Sequence, residues 1–141
     1  MKIGIIGSGG REHALCFKLK QSKKVKKIYC FPGNAGTSFL GENIDIDINN
    51  FEELKNFILK NKIDHIIVGP EKPLVNGLVD YLEQFKIKVF GPNKIASQLE
   101  GSKIFTKKLC NDYKIPTAKF GVFEDYDETV NYVKKSQFPL V

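Results

Sequence analysis

The residues of this sequence best suited to chemistry are Gly7-Ser8-Gly9-Gly10-Arg11-Glu12, a glycine-rich turn between the apolar run Ile3–Ile6 and a helical pattern that begins near Arg11. Glycine has no Cβ, so such a turn can take positive φ and bring its N–H groups up to a bound oxyanion. The helix beyond it adds unpaired amino-terminal donors and the positive end of its dipole, and Arg11 adds a guanidinium fork. Together these make an anion cradle fit for a phosphate. The plain alternative is a tight connection between a strand and a helix.

The dinucleotide fingerprint G-x-G-x-x-G asks for a third glycine where this chain has Glu12, and for an acidic residue about 20 positions on, at the end of the second strand. That strand ends Tyr29-Cys30-Phe31-Pro32, with no carboxylate. Both departures count against a nicotinamide or flavin dinucleotide.

The elements that must hold the turn follow from periodicity. Residues 3–6 form an all-apolar strand of the kind covered on both faces of a parallel sheet. A helix from Arg11 to about Gln21 carries Ala14, Leu15 and Leu19 on one side, and Val25–Phe31 is the second strand. The glycine turn thus stands at the carboxyl end of strand one, where open α/β sheets take their ligands. Pro32-Gly33-Asn34-Ala35-Gly36-Thr37 is a second loop of turn formers at the same edge, or an ordinary surface turn. Asn43–Ile48 suits a short strand. Asn50 and Glu53 have capping-box spacing for a helix reaching about Lys60.

Asp64–Val68 reads as the third main strand, followed by Gly69-Pro70-Glu71-Lys72-Pro73. Glu71, held between two prolines, could accept hydrogen bonds from a sugar hydroxyl or an amine, or could be an acidic residue opening the next helix. Leu74, Leu78, Val79, Leu82 and Phe85 stripe that helix, and Ile87–Phe90 is the fourth main strand. Helices are expected over Lys94–Glu100 and from Ser102 to about Tyr113, split at Gly101. A strand over Lys119–Phe123 and a helix over Asp127–Lys135 follow. Phe138–Val141 reads as the opening of a further strand without a partner, which points to a piece of a longer protein.

With 141 residues, 42% of them in the apolar and aromatic set, the chain suits one ordinary domain, or one domain and part of another. The net charge of +6 comes from 22 Lys and Arg against 16 Asp and Glu, with lysines concentrated over Lys18–Lys27. Cations suit the carboxyl end of the first helix, and the cluster reads as a solvated face rather than a nucleic-acid site. Cys16, Cys30 and Cys110 make no C-x-x-C pair and suit buried thiols in a reducing compartment. No leader and no long apolar run is evident, so a soluble cytoplasmic protein without a membrane span is expected. His13, beside the turn, could touch a ligand or be a packed, hydrogen-bonded histidine, and His65 reads as structural. The residues present no nucleophile set, no paired catalytic carboxylates and no metal cluster.

Taken together, five ordered motifs resemble the phosphoribosylamine-glycine ligase family, also called the glycinamide ribonucleotide synthetases. They are Ile5–Ala14, Pro32–Thr37, Val68-Gly69-Pro70-Glu71 with Pro73-Leu74, Phe90-Gly91-Pro92, and Leu99–Lys103 with Phe105, Thr106 and Lys107. Ile115-Pro116-Thr117-Ala118 fits the same pattern.

The resemblance implies an ATP-grasp ligase of de novo purine synthesis. On that resemblance ATP would phosphorylate the carboxylate of glycine, and the amine of 5-phosphoribosylamine would attack the glycyl phosphate, giving glycinamide ribonucleotide, ADP and phosphate. It implies a Rossmann-like pre-ATP-grasp domain over residues 1–101 and a truncated start of the ATP-grasp domain over 102–141. Phosphoribosylamine would be held by Gly9, Gly10, Arg11, Glu12, Asn34, Gly36, Thr37, Pro70 and Glu71, and ATP by Lys103, whose plain alternative is an exposed helical lysine. Mg²⁺ or Mn²⁺ would bridge the phosphates through ligands beyond residue 141, and no catalytic residue is expected within these residues. Alone, the chain should be inactive. Two other readings remain open: a complete nucleotide or sugar-phosphate binding module, and the cofactor domain of a dehydrogenase.

Overall fold

Alternation along two strands decides the architecture. In β1 (Lys2–Gly7) Ile3 and Ile5 enter one apolar layer and Ile6 the other; in β2 (Lys27–Pro32) Ile28 and Cys30 enter the first layer, Tyr29 and Phe31 the second. Successive side chains of a strand point to opposite faces, so strands that are apolar throughout need cover on both sides. The structure, a computed structural model, describes residues 1–140. It contains a five-stranded parallel sheet in the order β3-β2-β1-β4-β5, where β3 is Glu42–Asn43, β4 His65–Val68 and β5 Val89–Phe90.

The first layer is closed by α1 (Gly10–Lys20), which buries Cys16 and half-buries Leu15 and Leu19. The second is closed by α2 (Phe51–Asn61), α3 (Glu71–Val75) and α4 (Leu78–Glu83), through Leu54, Ile58, Leu74, Leu78, Val79 and Leu82. Each such side chain contributes roughly 1.5–3 kcal/mol on leaving water. Phe57 stands edge-on to Tyr29 and Phe31, with ring centroids 5.6 and 5.5 Å apart. Asn50 caps α2, its side chain accepting from the Glu53 N–H at 3.2 Å, as the spacing predicts.

Two details differ from the periodicity. The helix expected to carry the stripe from Leu74 to Phe85 is two helices, broken at Gly77, whose φ is +90°. That left-handed turn costs glycine nothing, and because Leu74, Leu78 and Val79 all enter one layer, the apolar pattern runs through the break unmarked. Of the stretch Asn43–Ile48, only the first residue pairs as a strand, together with Glu42. Ile44 N–H still donates to Cys30 O at 2.8 Å, and the chain then turns away. The sheet accordingly has five strands, two of them short edges.

The chain divides into two compact units, Met1–Gly101 and Ser102–Val141. The first holds the sheet and ends with α5 (Lys94–Gly101). The second consists of α6 (Lys103–Asp112), capped by Ser102, and α7 (Tyr126–Lys135), capped by Asp125. The strand expected over Lys119–Phe123 does not form: no strand pairs among the described residues of this unit. The opening strand expected at Phe138 is likewise absent over Phe138–Leu140, and Val141 lies outside the described residues. No described residue of the second unit is buried. No described helix is long and apolar enough to cross a membrane.

Candidate functional site

The register of the sheet brings three connections to one edge. Gly7 pairs with Pro32 and Ile6 with Val68, so β1, β2 and β4 end side by side and release the loops that begin at Ser8, Gly33 and Gly69. The strand order reverses at β1, from which one neighbour runs outward to β2 and β3 and the other to β4 and β5. The crevice at the carboxyl ends of such strands is where open parallel sheets bind ligands. Gly9, Gly10, Arg11, Glu12, Asn34, Gly36, Thr37, Pro70 and Glu71 all lie on these connections or the helix turns that follow them.

In the first loop, Gly9 caps α1 with extended backbone, and Gly10 and Arg11 open the helix. Residues at the first helical positions have no intrahelical acceptor for their N–H groups. The donors of Gly10 and Arg11, with the helix dipole behind them, can therefore serve an anion. The N–H of Gly9 is engaged, donating to Glu12 Oε2 at 2.6 Å. Arg11 is exposed, and its Nη1 donates to the carbonyl of Gly69, tying the first loop to the third. Its remaining N–H groups have no partner among the described residues and are available to a ligand.

Asn34 ties the second loop to the first. Its Nδ2 donates to Ser8 O at 2.9 Å and Gly9 O at 3.2 Å, while its Oδ1 accepts from the N–H groups of Gly36 and Thr37 at 2.8 and 3.0 Å. A side-chain amide offers two donors and an oxygen with two lone pairs, so this one is fully used within the protein. Thr37 is buried. Its Oγ1 accepts from Asn34 N–H and donates within reach of Asn34 O and Asn43 Oδ1, while Asn43 Nδ2 donates to Asn34 O at 2.7 Å. The ring of His13 lies over Gly36, where any Cβ would stand 2.8 Å from it.

Pro70 caps α3 with extended backbone, and the exposed Glu71 is the first residue of that helix. No hydrogen bond of the Glu71 carboxylate is formed among the described residues. Lys103 belongs to the second unit, exposed at the first position of α6, where it lines a cleft of about 250 Å³ with Lys107, Lys119 and Phe120. Lys107 Nζ donates to Thr117 Oγ1 at 2.6 Å and Ala118 O at 3.1 Å. His65 opens β4 at the opposite edge of the sheet, its Nδ1 buried without a hydrogen-bond partner among the described residues. No three His, Cys, Asp or Glu side chains converge as a metal site among the described residues.

Asn43 is the one member of this network that sequence spacing did not mark. Its partners lie on the adjoining loop across a parallel pair of strands, and only the sheet register brings them together.

Residues 1–100 match the family described as phosphoribosylglycinamide synthetase, N domain. The whole chain is 50% identical to a phosphoribosylamine–glycine ligase of Caldanaerobacter subterraneus subsp. tengcongensis, of which it covers 34%. It is 47% identical to the ligase of the same name from Clostridium acetobutylicum, again covering 34% of that protein. The crystal structure of the phosphoribosylamine–glycine ligase from Thermotoga maritima superposes with a TM-score of 0.70 at 30% identity, over 97% of this chain and 31% of that one. The chain thus spans about a third of the length of the curated relatives it matches.

Proposed function

Because the chain belongs to the phosphoribosylglycinamide synthetase family, as its N domain, we propose that it is the substrate-binding part of an ATP-dependent ligase of de novo purine synthesis. The reaction joins glycine to 5-phosphoribosylamine. The γ-phosphoryl group of ATP passes to the glycine carboxylate, giving glycyl phosphate and ADP. The amine nitrogen then attacks the glycyl carbonyl, phosphate leaves, and the nitrogen gives up a proton. In such a route the protein acts chiefly by positioning reactants and neutralising phosphate charge.

The observation that carries this reading is the meeting of three loops at the carboxyl ends of β2, β1 and β4. Gly10 and Arg11 amides and the Arg11 fork suit the 5-phosphate, and Glu71, across the crevice, suits the ribose hydroxyls or the amine. Asn34 and Thr37 serve the site by fixing the shape of the second loop. Residues 1–101 are read as the pre-ATP-grasp domain and 102–141 as the beginning of the ATP-grasp domain, where Lys103 would meet the nucleotide phosphates as a point charge. Magnesium, held by residues outside this chain, would supply charge neutralisation for those phosphates, and no residue of this chain is assigned to it. A cytoplasmic location accords with these small, soluble substrates.

The test is Arg11→Ala in the full-length ligase. The apparent KM for phosphoribosylamine should rise by about tenfold or more while that for glycine stays within about twofold. Equal effects on both substrates, or none, would overturn the phosphate assignment.

A further inference from the structure

Glu12 stands where a substrate contact is expected, yet it is only 4% exposed. Its carboxylate is wedged between the ends of β1 and β4. A Cβ on Gly7, whose φ is +124°, would lie 2.7 Å from Glu12 Cδ, and one on Gly69 would overlap Glu12 Oε1. The positive φ of Gly7 disfavours any side chain there, and at both positions a Cβ would press on the buried Glu12 carboxylate. Glu12 Oε2 also takes the N–H of Gly9 at 2.6 Å.

The consequence concerns which anion the loop accepts. Backbone amides at the start of a helix are the donors offered to a phosphate, and here the cap amide of Gly9 is held by Glu12 as in a capping box. What remains, the amides of Gly10 and Arg11 and the Arg11 fork, suffices for the oxygens of one phosphoryl group. A second phosphoryl group approaching Gly9 would find its donor occupied and a carboxylate beneath it. Specificity gained by placing an unfavourable group against the wrong ligand is a general device.

We propose that Glu12 is a positioning and specificity-determining residue. It holds the first and third loops at a fixed spacing for a phosphate monoester and rejects a pyrophosphate bridge. This rests on the reading of the loop as the site of the ribose phosphate.

The experiment compares Glu12→Gln, Glu12→Ala and Arg11→Ala in the full-length ligase. It measures KM for phosphoribosylamine, kcat, and inhibition by inorganic phosphate and by inorganic pyrophosphate in competition with phosphoribosylamine at saturating ATP. Glutamine keeps the shape and an acceptor for Gly9, so its KM should stay within about threefold of the parent. Alanine should raise KM about tenfold with a smaller change in kcat, and should shift the inhibition ratio about tenfold toward pyrophosphate. The inference is overturned if glutamine is as damaging as alanine, since the carboxylate would then act on the ligand directly. It is also overturned if alanine leaves KM and the inhibition ratio unchanged. If Arg11→Ala raises KM while Glu12→Ala does not, only the role of Glu12 fails; if Arg11→Ala has no effect, the phosphate reading itself fails.

Discussion

The side-chain amide of Asn34 reaches across the sheet edge to the carbonyl oxygen of Ser8, 2.9 Å away, and through that bond the loop after β2 is fastened to the loop after β1. Asn34→Asp keeps the acceptor that serves Gly36 and Thr37 but turns an oxygen toward the carbonyls of Ser8 and Gly9. Two hydrogen bonds are lost and like dipoles are opposed. A stability loss of about 1–3 kcal/mol is expected in urea unfolding. In the full-length ligase the KM for phosphoribosylamine should rise, with the KM for ATP unchanged. An Asp variant as stable and as active as the parent would show that the two loops hold their spacing without this bond.

Lys103 opens α6 as an exposed cation beside the Lys107–Phe120 cleft. If it meets the nucleotide phosphates, Lys103→Ala in the full-length ligase should weaken ATP binding by about tenfold, read by calorimetry. Unchanged affinity would return the residue to the ordinary helix surface.

The sulfur atoms of Cys16 and Cys30 lie 3.3 Å apart, between α1 and β2, and both are fully buried. Burial first, and then the hydrogen bond with Cys30, push the Cys16 thiol up to about 12; burial raises Cys30 as well. The thiolate is the reactive form, so iodoacetamide at pH 8 should label the half-buried Cys110 and spare Cys16 and Cys30 until the protein is unfolded. Peptide mass spectrometry gives the order of labelling. Because the folded pKa lies above the unfolded one, the stability tied to the Cys16 thiol is complete below the ordinary value of 9.0 and is lost as the pH rises toward about 12.

Asp64 Oδ2 accepts the backbone N–H of Lys2 at 2.6 Å, fastening the start of β4 to the start of β1. That bond, more than the nearby charges, holds its carboxyl below the ordinary value of 3.8. A depressed folded pKa stabilises the fold above the unfolded pKa and ceases to do so as pH falls through the folded one. Urea midpoints measured downward from about pH 5 should therefore fall more steeply for the parent chain than for Asp64→Asn. Parallel slopes would show that this carboxylate adds nothing to acid sensitivity.

Local residue types were enough for most of the strand–loop–helix order of the first 101 residues, because period-2 and period-3.6 burial patterns are properties of neighbouring positions. Ile3–Ile6, the Asn50 cap and the glycine turn are legible for that reason. The stripe from Leu74 to Phe85 is read as one helix because burial follows the layer that Leu74, Leu78 and Val79 share and not the backbone break at Gly77. Lys119–Phe123 has the composition of a strand, but a strand exists only with a partner, and none lies among the described residues of that unit.

The site divides in the same way. That Gly9, Gly10, Arg11 and Glu71 belong near a sheet edge follows from their place after apolar runs. Which of their groups remain open to a ligand was decided in three dimensions. Parallel register sets Gly7 beside Pro32 and Ile6 beside Val68, and only then does Asn34 spend its amide on Ser8 and Gly9, Arg11 reach Gly69, and Glu12 claim the Gly9 amide. Arg11 and Gly69 are far apart along the chain and meet only where β1 and β4 end together; sequence names the donors and acceptors, and the pairing of strands determines which of them are already satisfied.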